Sequence, residues 1–83
     1  KEIKLRPKTD DHDLQTKLTH IKKFLVRKDK VKVTVMFRGR EITLMDRGQE
    51  LLEIVVGETE EVGIIEQEPK FEGRTMVMVL APK

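Results

Sequence analysis

Residues 31–38 read V-K-V-T-V-M-F-R. Val31, Val33, Val35 and Phe37 alternate with Lys32, Thr34, Met36 and Arg38, and a period of two puts the first set on one side of an extended chain. β-Branched residues fit a pleated, half-buried surface, so this stretch is the clearest strand in the protein. Arg38-Gly39-Arg40 closes it as a turn.

Upstream, T-D-D-H-D at residues 9–13 is a helix start, because Thr and Asp side chains accept hydrogen bonds from free backbone N–H groups and complement the helix dipole. The helix is expected to run to about Lys28. At 100° per residue Leu14, Leu18, Ile21 and Leu25 form one narrow stripe; Thr16, His20, Lys23 and Arg27 lie opposite, and Lys17, Lys22 and Lys28 flank it. Before it, K-E-I-K-L-R alternates charged and apolar residues, so Ile3 and Leu5 share a face of a strand that Pro7 ends.

Downstream, a second helix is expected from about Glu41 to Val56, with Leu44, Gly48, Leu51 or Leu52, and Val55 inward, Glu50 and Glu53 outward, and Gly57 placed to stop it. A glycine inside a helix costs roughly 1 kcal/mol relative to alanine, so Gly48 marks a close approach to the sheet. Val62–Glu66 and Thr75–Leu80 read as a hairpin joined by the loop Q-E-P-K-F-E-G-R. Met36, Met76 and Met78 alternate within strands and are expected to pack on the sheet.

The order is βαβαββ over 83 residues, enough for one domain with one core. Right-handed crossovers place both helices on one face, an α/β (α+β) two-layer sandwich. If the first three strands are mutually parallel, their C-terminal ends emerge along one edge, where open α/β sheets usually bind ligands.

Charge is divided unevenly. Residues 1–40 hold thirteen Lys or Arg against five Asp or Glu, a balance of +8; residues 41–83 hold four against ten, a balance of −6. Such asymmetry suits a surface that meets a polyanion. The three strand ends carry Arg6 and Lys8, Arg38 and Arg40, and Lys70 and Arg74, and Lys17 lies in the first turns of helix one. Beside two helix N-termini these cations suit phosphate, although turns are often charged for solubility alone and Asp10, Asp11 and Asp13 offset part of the charge. With no Trp or Tyr and with Phe24 and Phe37 in core positions, only Phe71 is left as a stacking ring, so folded RNA read by shape and phosphate geometry is the expected target.

Much chemistry is excluded. The chain has no Ser, Cys or Asn, so disulfides, zinc ribbons and serine or cysteine triads are impossible. The five glycines form neither a P-loop nor G-x-G-x-x-G, so no nucleotide cofactor is expected. His12 and His20 lack metal-ligand spacing, and the acidic run around Glu58, Glu60, Glu61, Glu66 and Glu68 reads as solvated surface rather than as acid–base groups. No apolar run approaches the ~20 residues of a membrane span and no signal peptide is visible, so a soluble, cytoplasmic protein is expected. The chain begins at Lys1 rather than Met and is expected to be a piece of a longer protein.

Four separated segments carry a resemblance: K-E-I-K-L-R-P; D-L-Q-T-K-L followed by K-K-F-L; V-M-F-R-G-R-E; and E-G-R-T-M-V-M-V-L-A-P. In that order, across essentially the whole chain, they resemble the C-terminal domain of bacterial translation initiation factor three. The resemblance implies a βαβαββ domain with a four-stranded mixed sheet, preceded in the full factor by a lysine-rich linker and an N-terminal domain. It also implies a non-enzymatic monomer that binds 16S ribosomal RNA on the platform of the small subunit, blocks association of the large subunit and supports selection of the start codon and initiator tRNA. Matched residue by residue, the implied RNA contacts are Arg6, Lys17, Lys23, Arg38, Arg40 and Arg74, which Lys8 joins from the basic edge. The chain departs from some relatives at Leu14, where they have an aromatic, and at Ile54, where their second helix offers another arginine. A protein-interaction module using the acidic half or an exposed sheet is the alternative from another class; a small RNA-processing enzyme of the same architecture is a third.

Overall fold

The structure is a computed structural model that describes residues 1–39 and 45–83. β1 spans Glu2–Leu5, α1 Asp11–Val26, β2 Val31–Met36, α2 Met45–Thr59, β3 Gly63–Glu72 and β4 Thr75–Pro82, the βαβαββ order that periodicity predicts. One mixed sheet contains all four strands in the order β1-β2-β4-β3. β1 and β2 are parallel, and β4 is antiparallel to both β2 and β3, so the first three strands in sequence all run the same way.

Register shows which side of the sheet is covered. Ile3 pairs with Val33 and Val33 with Met78, a row of apolar residues on a single face. Val31, Val33 and Val35 are fully buried there, as are Met78 and Leu80. From α1 the whole stripe Leu14, Leu18, Ile21 and Leu25 is buried, and α2 contributes both Leu51 and Leu52 together with Val55. These residues form one cluster, so both helices lie on that face. Burying each such side chain is worth about 1.5–3 kcal/mol, which is why the stripe rather than helix propensity holds the two layers together. On the other face Lys4, Lys32 and Lys70 accompany half-buried Met36, Val77 and Val79. The methionines thus divide, with Met76 and Met78 in the core and Met36 on the open side.

Gly48 is where the helical layer comes closest to the strands. A Cβ built there would lie 2.5 Å from the Phe37 ring and 3.4 Å from Val35, the close approach its position implied. Three expectations need correction. Gly57 does not stop α2, which continues to Thr59; that side chain is buried, and its hydroxyl donates to the Val55 carbonyl at 2.8 Å, anchoring one more turn. The segment 67–74 is mostly strand rather than loop, because β3 extends to Glu72 and only Gly73 and Arg74 turn. Extra residues near Glu66 and near Pro69 are absorbed as irregularities in an edge strand, the setting in which a strand tolerates proline. Lys70 accordingly sits inside β3, opposite Val77, and not in a loop. The expected start of the second helix at Glu41 and the inward Leu44 lie outside the described residues.

Candidate nucleic-acid interface

Parallel β1, β2 and β3 deliver their C-terminal ends to a single edge. Arg6 follows β1 directly, and the Thr9 N–H donates to the Arg6 carbonyl at 3.1 Å, turning the chain past Lys8 into α1. A groove of ≈ 650 Å³ opens at this turn, walled by Lys4, Arg6, Lys8 and Lys17 with Asp10 and Asp13. The two carboxylates are engaged locally: the Asp13 N–H donates to Asp10 Oδ1 at 2.7 Å, and the Thr9 hydroxyl donates to Asp13 Oδ2 at 3.0 Å. Asp10 thereby caps α1, so the Asp13 N–H is taken by a side chain of the chain itself and is not among the N–H groups this helix start offers to phosphate.

Further along the edge, the Phe37 N–H donates to the Arg74 carbonyl at 2.9 Å and ties the end of β2 to the β3–β4 turn. Gly73 has φ +60 and Arg74 does not share the positive φ, the arrangement of a type II′ turn with glycine in its first central position. Arg38 and Arg74 therefore leave adjacent strands. With strands about 4.8 Å apart, the backbones of Arg6, Arg38 and Arg74 lie within roughly 10–15 Å along the edge.

Three ion pairs among the described residues lie elsewhere on the surface. Lys22 pairs with Glu58 at 3.9 Å, Lys30 with Glu66 at 2.7 Å and Arg47 with Glu50 at 3.6 Å. The side chains of Arg6, Lys8, Lys17, Lys23 and Arg74 form no ion pair with a described residue. An exposed guanidinium in this state can hold a phosphate through two parallel hydrogen bonds at little desolvation cost.

Comparison with known proteins bears on what such an edge serves. The family described as translation initiation factor IF-3, C-terminal domain, matches residues 1–83. The chain belongs to this family. IF-3 of Geobacter metallireducens is 55% identical over 83 residues, which is 100% of this chain and 48% of the relative. IF-3 of Nitratidesulfovibrio vulgaris strain Miyazaki F is 55% identical over 82 residues, 99% of this chain and 47% of the relative. IF-3 of Aromatoleum aromaticum is 53% identical over 83 residues, again 100% of this chain and 48% of the relative. The chain thus spans about half the length of the curated relatives it matches.

Within this IF-3 domain the expected RNA contacts separate. Arg6, Lys8, Lys17, Arg38 and Arg74 share the edge, and Arg40 lies outside the described residues. Lys23 does not join them: six residues beyond Lys17, it is about 9 Å further along α1 and on another side of that helix, in its last turn. Lys4 and His12, absent from the expected set, line the groove. Strand alternation marks Lys4 as outward, but only the position of the turn shows that it borders the cations. Phe71 is no open stacking ring, since it is half-buried and its ring centroid stands 5.7 Å from that of Phe37. Leu14 is buried in the core and Ile54 is exposed on α2, so neither supplies a polar contact. No helix among the described residues is long and apolar enough to cross a membrane.

Proposed function

We propose that residues 1–83 act as one ribosome-binding domain of a longer cytoplasmic factor. As a monomer the domain binds 16S ribosomal RNA on the platform of the small (30S) subunit, prevents association of the large subunit and supports selection of the start codon and initiator tRNA, catalysing nothing. The observation that carries this reading is the gathering of Arg6, Lys8, Lys17, Arg38 and Arg74 from distant parts of an IF-3 domain onto one sheet edge. The edge offers positive charge of fixed geometry with no open aromatic ring, which suits a structured RNA backbone better than unstacked bases.

Binding to purified small subunits across a salt series tests the reading. About five phosphate contacts give a slope of log affinity against log salt of roughly −3.5 to −4.5. Arg6→Ala combined with Lys17→Ala is expected to weaken binding roughly 5- to 30-fold, with melting unchanged because neither side chain has an ion-pair partner to lose. A flat salt response, or capture of partners that survives ribonuclease treatment, would overturn it in favour of a protein-interaction module.

A further inference from the structure

A second concentration of positive charge lies at the opposite end of the molecule. Residues 22–30 read K-K-F-L-V-R-K-D-K, five cations against one carboxylate. Two of the five are partnered, Lys22 by Glu58 and Lys30 by Glu66. Lys23 and Arg27 are exposed and form no ion pair with a described residue, while exposed Lys28 donates from Nζ to the Lys83 backbone oxygen at 3.2 Å. Lys23 and Arg27 are four residues apart on one side of the helix end, where the Arg27 N–H donates to the Lys23 carbonyl at 3.2 Å.

Cations at a helix C-terminus also complement its dipole, an effect confined to the last turn. That effect covers Lys23 in the last turn and Arg27 at the C-cap, and leaves Lys28, one position beyond the cap, to be accounted for. The way α1 ends carries the distinction. The Lys28 N–H donates to the Leu25 carbonyl at 3.0 Å and the Asp29 N–H to the Phe24 carbonyl at 2.9 Å, with Lys28 itself at φ 70. Glycine is the residue that adopts this left-handed conformation without steric conflict, and Lys28 is the one described residue other than glycine with positive φ. The turn thus carries a charged side chain in a conformation that favours glycine, and strain held at a surface of this kind points to function.

We infer that Lys23, Arg27 and Lys28 form a second phosphate-binding surface for a separate stretch of structured RNA. The inference rests on the reading that the partner of the domain is ribosomal RNA. α1, sixteen residues and so about 24 Å long, has the groove at its start and Arg27 and Lys28 past its end, with Lys23 on another side of the helix about 9 Å beyond Lys17, which assigns the two surfaces to different runs of backbone. The helix then serves as a strut that fixes the orientation of the domain between two RNA elements, an orientation a single basic patch leaves free to pivot.

Arg27→Gln combined with Lys28→Gly removes two charges while giving the strained position the residue it favours. This variant is expected to melt no lower than the parent, to bind small subunits roughly 5- to 30-fold more weakly, and to show a salt slope shallower by roughly 1.4–1.8. The chain has no cysteine, so Val26→Cys and Lys4→Cys each provide a single attachment point for an iron chelate. The chelate at position 26 is expected to cleave 16S RNA at sites distinct from those cut from position 4. Unchanged affinity in the Arg27 and Lys28 variant, with Arg6→Ala plus Lys17→Ala still weakened, overturns the second surface and leaves the proposed function standing. Coincident cleavage from both attachment points overturns it as well. If neither double variant loses affinity, the ribosomal reading itself fails and this inference falls with it.

Discussion

The two helices bury similar stripes and present opposite surfaces. α1 sinks Leu14, Leu18, Ile21 and Leu25 and α2 sinks Leu51, Leu52 and Val55 into the same cluster on the same face of the sheet. Outward they diverge: residues 14–28, across α1, contain no carboxylate, whereas α2 exposes Asp46, Glu50, Glu53 and Glu58. Interior composition thus decides where a helix packs, and the far side decides what the assembled domain attracts. Lys22 and Glu58 meet at the seam between the two surfaces.

The interior equivalence can be broken at matched positions. Leu18→Ala in α1 and Leu51→Ala in α2, at sites 2% and 0% exposed, are each expected to lower unfolding free energy by about 3 kcal/mol in urea titrations. A full loss in one helix beside a loss under ~1 kcal/mol in the other would show that a single helix carries the layer. A smaller effect sharpens the contrast in spacing. Gly48→Ala places a methyl against the buried Phe37 ring, and the overpacking outweighs the gain in helix propensity, for a net loss of about 1 kcal/mol in the same assay. The smallest belongs to the seam: Lys22→Ala removes a 3.9 Å contact between half-exposed groups and is expected to change stability by less than ~0.5 kcal/mol. A larger change would make the charge division between the helices part of the fold as well as of function.

Where one face of an element is wet and the other dry, its residues announced the structure. The alternation in 31–37 and the four-residue stripe of α1 did so, as did Gly48, because each reflects a local period or a missing Cβ. What escaped depended on neighbours distant in sequence. β3 continues through Pro69 because it is an edge strand with irregular pairing, and α2 continues past Gly57 because Thr59 is buried against the rest of the fold. For the interface, Arg6, Lys8, Arg38 and Arg74 followed from strand direction, and Lys17 from its place in the first turns of α1. Lys23 did not, since helical geometry carries it to the last turn of α1 and to another side of that helix, and the capping of α1 by Asp10 took the Asp13 N–H from those at the helix start.

The irregular pairing of β3 has a consequence for solubility. A ten-residue strand on a sheet margin, with Ile64 and Ile65 52% and 40% exposed, offers unpaired amides on which another copy of the chain can template itself. Two breaks in register bend that margin, Pro69 removes a donor from it, and Glu66, Glu68 and Lys70 line it with charge. The margin therefore makes a poor seed for fibrils, and straightening it would cost the domain its resistance to self-assembly before it cost any of its core.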